Sequence, residues 1–331
     1  MKNITLLLLL ALFLPVVVQA NEGISVSQDM FIKKMVDEHN FDNSGLKKLF
    51  DQASVSQTIL DAISRPAEKK LQWFEYKDIF LRENRIQKGV EFWQDNYHTL
   101  LRAEIKFGVP AEIIVAIIGV ETFYGRITGK YRVVDALNTL AFHYPKRADF
   151  FRSEFEHFLL LSREQGFDPL SLTGSYAGAM GLPQFISSSY RNYAIDFDGD
   201  DVINIWDNPV DAIGSVANYF VAHRWQNGEP VIDKVEVEGD AYKQALTAGL
   251  EPDLESSRLE ELGIRPRSDY GEQEKLKLLV FDQEDGPELW LARHNFYVIT
   301  RYNHSQLYAM AVYQLAQEIK QRINRVAQNL E

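Results

Sequence analysis

VPAEIIVAIIGVETFYGR, residues Val109 to Arg126, is apolar at every position from Ile113 to Ile118 and again at Val120. A helix with no polar face is buried on all sides. The chain is therefore read as a helical protein built around one internal helix. Pro110 suits its first turn, where a backbone N–H has no partner to lose, and Gly125 suits its end. Glu121 closes the apolar run with no cation nearer in sequence than Arg126. Desolvation disfavours a charged carboxylate and raises its pKa, so Glu121 is a candidate general acid at neutral pH. The alternative is a Glu at a helix end, turned to solvent or bonded to a backbone N–H.

Outward from this helix the pattern stays helical. Met30–Asn40 carries Phe31, Met35 and Val36 at helical spacing, and Asn43-Ser44-Gly45 breaks it. Trp73, Phe74, Tyr76, Phe80, Phe92, Trp93 and Tyr97 form an aromatic-rich stretch, mostly core, with one or two free to line a cleft. Glu91–Phe107 reads as helix up to Gly108. Beyond the Glu121 helix, Phe150–Gln165 is amphipathic and Gly166 closes it. Gly174–Tyr190 is rich in small residues yet holds Met180, Leu182, Phe185 and Ile186, which marks a packed loop. Asp211–His223 is helical again. The character then changes: Val231–Glu238 alternates, Lys275–Asp282 is β-rich, and Glu288–Tyr302 holds a strand followed by a helix. Leu250–Gly271 reads as polar loop, and Tyr308–Leu330 as a last amphipathic helix.

The 331 residues, 46% hydrophobic and 12% aromatic, are ample for a large core. Met1–Ala20 reads as a secretory signal: Lys2, the apolar run Leu6–Leu14, and Val18-Gln19-Ala20 as a small-residue cleavage site. No later stretch approaches the roughly 20 apolar residues of a membrane span. There are no cysteines, which excludes thiol catalysis, thiolate metal sites, disulfides and a lipid-anchored Cys. The formal charge of −12, one unit more negative once Lys2 leaves, argues against nucleic acid or an anionic membrane as the main partner.

Asp196-Phe-Asp-Gly-Asp-Asp-Val202 places oxygen ligands at alternate positions of a tight acidic loop, a donor set that suits Ca²⁺. In an EF-hand register Asp196, Asp198 and Asp200 are positions 1, 3 and 5, and the Val202 carbonyl is position 7. Position 6 is Asp201 rather than Gly and position 12 is Asp207 rather than Glu; in a longer loop Asp211 closes the site. No serine triad and no phosphate-cradling glycine loop is readable. Glycosidases ordinarily use two carboxylates, and no second partner for Glu121 is evident.

VETFYG around Glu121, YPKRADFF at Tyr144–Phe151, SYAGAMGLPQFISSSY at Ser175–Tyr190, DFDGDDVINIWDNPVDAIGSVANYF at Asp196–Phe220 and FYVITRYNHS at Phe296–Ser305 resemble the lytic murein transglycosylase B family over nearly all of the mature chain. The resemblance implies a mainly α fold: a lysozyme-like catalytic core (109–225, with the EF-hand-like loop at 196–211), an N-terminal helical region (21–108), a small β-containing subdomain (226–295) and a C-terminal helical segment returning to the core (296–331). It implies cleavage of the β-1,4 bond between N-acetylmuramic acid and N-acetylglucosamine without water, leaving a 1,6-anhydro end. Glu121 then serves as acid and afterwards as base, and the substrate's own C6 hydroxyl replaces the missing second carboxylate.

By the same resemblance Ser175 and Asn303 orient the N-acetyl group, Gln184 and Phe185 are cleft residues, and Tyr76, Tyr219, Tyr302 and Tyr308 are aromatic walls. Lys146 and Arg147 meet a peptide or lactyl carboxylate, where the family more often has two arginines. Asp196, Asp198, Asp200, the Val202 carbonyl and Asp211 hold a structural Ca²⁺, although one extra residue near Asn208 leaves Asp207 and Asp211 both open. The expected setting is the periplasm, for a monomer acting on peptidoglycan glycan strands, with cell-wall synthesis proteins as further partners and no membrane insertion. The rivals are a hydrolytic muramidase and a non-catalytic peptidoglycan-binding protein.

Overall fold

The computed structural model describes residues 15–64, 71–271 and 273–328. Its first half runs α1 (Pro15–His39), α2 (Asn43–Gln52), α3 (Gln57–Ser64), α4 (Trp73–Phe80), α5 (Glu83–Asp95), α6 (Tyr97–Phe107) and α7 (Ala111–Thr122). Then come β1 (Tyr131–Arg132), α8 (Val133–His143), α9 (Ala148–Gln165), β2 (Thr173–Gly174), α10 (Ser187–Tyr193) and α11 (Pro209–Ala222). Strands β3 (Ile232–Val237), β4 (Leu254–Glu255), β5 (Ile264–Arg265), β6 (Lys275–Gln283) and β7 (Gly286–Ala292) precede α12 (His294–Tyr302) and α13 (Gln306–Gln328). Residues 1–14 of the expected leader lie outside the described residues, and Pro15–Ala20 begin α1. Among the described residues no helix is long and apolar enough to cross a membrane.

Helix α7 is buried from Ala111 to Val120, as its all-round apolarity dictates. Helices α4–α6, α11, α12 and α13 pack around it, together with one face of the sheet. Glu112, also buried, is paired with Lys320 of α13 at 2.5 Å, so the one other carboxylate of the helix is neutralised. A second core gathers α1–α3 against α8–α10. Residues 21–108 thus do not pack as one region. Helices α1–α3 belong to the second core and α4–α6 to the first, a division that periodicity within single helices does not reveal.

The β-subdomain is a five-stranded antiparallel sheet in the order β4-β6-β7-β3-β5 with its own core of Val235, Leu254, Leu262, Ile264, Leu276 and Leu291. Leu250–Gly271 is therefore more than polar loop. Its strands β4 and β5 are two residues each, too short for alternation to show. The same holds for β1 and β2, which pair in the half of the chain that reads as all-α. Trp73 stands edge-on to Phe281, 5.6 Å between centroids, and Lys77 donates to Gln283 Oε1 at 2.7 Å. These contacts tie α4 to β6.

Candidate active site

Helix α7 stops two residues before Gly125. Phe123 (φ 52°) and Tyr124 (φ 58°) take the left-handed conformation first, and Gly125 (φ 82°) follows. A left-handed turn made of two aromatic residues costs about 1–3 kcal/mol per residue and persists only where its surroundings fix it. Here they do. The buried Thr122 hydroxyl lies 3.1 Å from the Ile118 carbonyl and 3.0 Å from the Leu182 carbonyl, and accepts the Gly125 N–H at 3.0 Å. Arg85 donates to the Gly119 carbonyl, and its guanidinium lies 4.8 Å from the Phe123 ring centre and 5.2 Å from that of Phe80. Gly119 makes room for Tyr124: a Cβ there would lie 2.6 Å from the ring.

This turn fixes Glu121, which is half-buried. The Tyr308 hydroxyl donates to Glu121 Oε1 at 2.6 Å. Desolvation lifts the Glu121 carboxyl from its usual 4.5 to about 7, against the opposing pull of the Tyr308 hydrogen bond. Among the described residues no charged group pairs with it. Tyr76, Tyr302 and Tyr308 stand close enough that the carboxylate charge, added to burial, raises all three phenols. The alternative of a solvent-turned helix-end Glu is set aside by this geometry.

Tyr302 stacks on Tyr308 with rings 12° from parallel, and its hydroxyl donates to the Pro183 carbonyl at 2.7 Å. Tyr219 lies behind Tyr302, 4.7 Å between centroids, and donates to the Arg301 carbonyl at 2.6 Å. Phe185 is 2% exposed and packs against Tyr219 and Tyr302. It backs the wall instead of facing the cleft, a correction to its expected role; apolar residues of packed loops and of cleft walls read alike in sequence.

The remaining expected residues divide. Gln184, held at φ 52°, spends its amide on the Thr128 and Gly181 carbonyls and so pins the loop that follows the left-handed turn. Ser175 Oγ accepts the N–H groups of Ala177 and Ala179 at 3.2 and 3.0 Å, which leaves its proton to offer. Asn303 ends α12 beside Tyr302 with its side chain exposed. Lys146 and Arg147 are not brought to this group: both are exposed, and the Arg147 guanidinium lies 4.2 Å over Phe150. Thr122, Arg85 and Tyr124 escaped the sequence reading because Arg85 reaches Gly119 and Thr122 reaches Leu182 only through tertiary contact, and the local contacts of Thr122 and Tyr124 depend on a left-handed turn that propensity does not signal.

At the acidic loop, carboxylate oxygens of Asp196, Asp198 and Asp211 lie within 4.8 Å of one another. Asp211 is fully buried and accepts the Phe197 and Asn204 N–H groups at 2.7 and 2.8 Å, whereas Asp207 is exposed. Asp200 turns to its own loop, accepting the Val202 N–H at 2.9 Å.

A family model for the transglycosylase SLT domain matches residues 26–317. The membrane-bound lytic murein transglycosylase B of Escherichia coli K12 is 45% identical over 298 residues, 87% of this chain and 81% of that protein. The soluble lytic transglycosylase SltB1 from Pseudomonas aeruginosa superposes with a TM-score of 0.87 at 53% identity, covering 90% of this chain and 99% of that one. The Escherichia coli lytic transglycosylase Slt35, in complex with calcium, gives a TM-score of 0.83 at 44% identity over 89% of this chain and 93% of that one.

Proposed function

The chain belongs to the transglycosylase SLT domain family, and from that premise we propose that Glu121 alone carries the acid and base steps of its reaction. The enzyme is a peptidoglycan lytic transglycosylase that cleaves the β-1,4 MurNAc–GlcNAc bond and leaves 1,6-anhydroMurNAc ends. The observation that carries the assignment to Glu121 is a single carboxyl, lifted to about 7, with a hydroxyl donor on one oxygen and no charged partner.

Such a group holds its proton at neutral pH and gives it to the glycosidic oxygen as the C1–O4 bond breaks. The resulting carboxylate takes the proton of the muramoyl C6 hydroxyl as O6 bonds to C1. The proton lost from O6 restores the acid, and no water is consumed. Attack from within the same ring has the advantage of a preorganised nucleophile. Tyr308 steadies the carboxylate between the two steps, when its charge is greatest. Tyr76 and Tyr302 offer ring faces to the sugar, with Tyr219 and Phe185 supporting them from behind. Ser175, with only a proton to give, suits the acetamido carbonyl, and Asn303 stands exposed at the end of α12 for the same group. Lys146 and Arg147 are assigned a more distant peptide carboxylate.

We further assign a structural Ca²⁺ to Asp196, Asp198, Asp200, the Val202 carbonyl and Asp211. The convergence of three carboxylates in one hard-oxygen loop supports it, and Asp211 is preferred to Asp207 because it is the buried one. The leader pattern of Met1–Ala20 supports export to the periplasm, where the chain would act on glycan strands as a monomer.

Mass analysis of products released from purified murein sacculi tests the reaction. Anhydro ends, one water lighter than hydrolytic ends, are expected from the wild type, and from Glu121→Gln only at a rate about 10²–10⁴-fold lower. Reducing ends would identify a hydrolytic muramidase, and binding without lysis a non-catalytic protein.

A further inference from the structure

The acidic loop and the left-handed turn after Glu121 are joined by a short run of backbone. Asp211 closes the loop from within, its two carboxylate oxygens accepting the Phe197 and Asn204 N–H groups at 2.7 and 2.8 Å. Ile205, the next residue, is fully buried, and its carbonyl accepts the Leu182 N–H at 2.9 Å. The approach is so close that a Cβ on the neighbouring Gly181 would lie 2.4 Å from that carbonyl oxygen. The Leu182 carbonyl in turn lies 3.0 Å from the Thr122 hydroxyl, and the Pro183 carbonyl accepts the Tyr302 hydroxyl at 2.7 Å.

Thr122 has one proton and two carbonyls within reach. The Ile118 carbonyl also accepts the Tyr124 N–H at 3.3 Å, whereas among the described residues the hydroxyl is the one donor to the Leu182 carbonyl. A buried carbonyl left without a donor is costly, so the proton belongs to Leu182. The same hydroxyl accepts the Gly125 N–H at 3.0 Å and so closes the turn. The segment Gly181–Gln184 is therefore held by the acidic loop on one side. On the other it holds both the residue that follows Glu121 and the ring that stacks on Tyr308.

We propose that Thr122 is a positioning residue through which the acidic loop holds Glu121 in place for proton transfer. The inference rests on the reading of Glu121 as the acid and gives the loop a part in the reaction beyond stability. A closed loop presses Ile205 on Leu182, Leu182 fixes Thr122, and Thr122 keeps the turn from opening to water. Packed backbone of this kind moves together rather than piecewise. When the loop slackens, the turn relaxes and water reaches the carboxyl. Its pKa then returns from about 7 toward the usual 4.5, and less of the acid is protonated at neutral pH.

The test reads Glu121 directly, by NMR titration of its carboxyl carbon, the signal that Glu121→Gln removes. Thr122→Val keeps the shape of the side chain and loses the hydroxyl; Thr122→Ser keeps the hydroxyl. In Thr122→Val the midpoint should fall from about 7 toward 4.5, and kcat should drop about 10- to 100-fold with KM little changed. Thr122→Ser should restore both. Two variants slacken the loop: Asp211→Asn, and the milder Asn204→Ala, which removes the acceptor of the Trp206 and Asp207 N–H groups. Each should lower the midpoint on its own and lower it no further when combined with Thr122→Val. A Thr122→Val protein that melts earlier but titrates at the wild-type midpoint overturns the positioning role. A midpoint unmoved in the folded loop variants overturns the link to the loop. The titration needs no substrate, so it decides the proposal even if sacculi yield no anhydro ends, a result that defeats the enzyme reading alone.

Discussion

At the scale of single residues, the environment of Glu121 makes a pH prediction with a definite sign. The acid step needs the proton, which the carboxyl holds below about 7, so activity should fall as pH rises through that value. Tyr308 lowers the pKa of Glu121 by donating to it. Tyr308→Phe should therefore move the alkaline limb of the pH–rate profile upward while reducing kcat; a limb that stays or moves down would refute this role. Stability follows the same group. Its folded pKa lies above the usual 4.5, so the protonated form contributes stability that is complete below about 4.5 and lost as pH rises through about 7. Glu121→Gln should flatten the change in melting temperature between pH 5 and pH 8, besides lowering lysis by about 10²–10⁴-fold. Glu121 was legible in the sequence because a carboxylate at the end of an all-apolar helix is rare. The hydrogen bond from Tyr308 was not, since the two residues are 187 positions apart and no local pattern joins them.

At the scale of elements, the left-handed turn after α7 and the acidic loop before α11 are held in different ways. The turn depends on close approach at Gly119. Gly119→Ala drives a methyl into the Tyr124 ring, and overpacking of this kind costs about 1–3 kcal/mol. A shift of even 1 Å in the carboxyl that precedes the turn is enough for about 100-fold loss of rate. Thermal melting and kcat of this variant should fall together; normal activity at reduced stability would show that the turn does not position Glu121. The acidic loop depends on charge. Chelation should lower the melting temperature and Ca²⁺ restore it, as scanning calorimetry would detect, and an unchanged curve would remove the metal assignment. Gly125 was the natural stop for α7 on propensity, but the buried contacts of Phe123 and Tyr124 outweigh that preference. Strands of two residues, β1, β2, β4 and β5, lie below the length at which any alternation is visible. Long periodic pieces such as α9, α11 and α13 were readable to within a few residues.

At the scale of the whole molecule, two helical cores and a sheet meet around one carboxyl. The sheet takes part at a distance: through Trp73 and Phe281 it steadies α4, which carries Tyr76. Phe281→Ala should cost about 3–5 kcal/mol, and the α4 amides should exchange hydrogen faster than those of α8 in the second core. Uniform exchange across both cores would argue against this coupling. The helical class and the β-bearing insertion were legible because each leaves its own period in the sequence. The splitting of residues 21–108 between two cores was not, because it depends on which helix faces which. The bond between Tyr308 and Glu121 also orders events in time. The proposed acid lies in the first half of the chain and its hydroxyl partner on the last helix, so a growing polypeptide has no complete site until α13 has been made and has docked. A chain cut short before residue 306 would retain Glu121 and lack the phenol that completes it. On the proposed assignment, synthesis would leave this wall-cutting protein without a complete site until its final helix is in place.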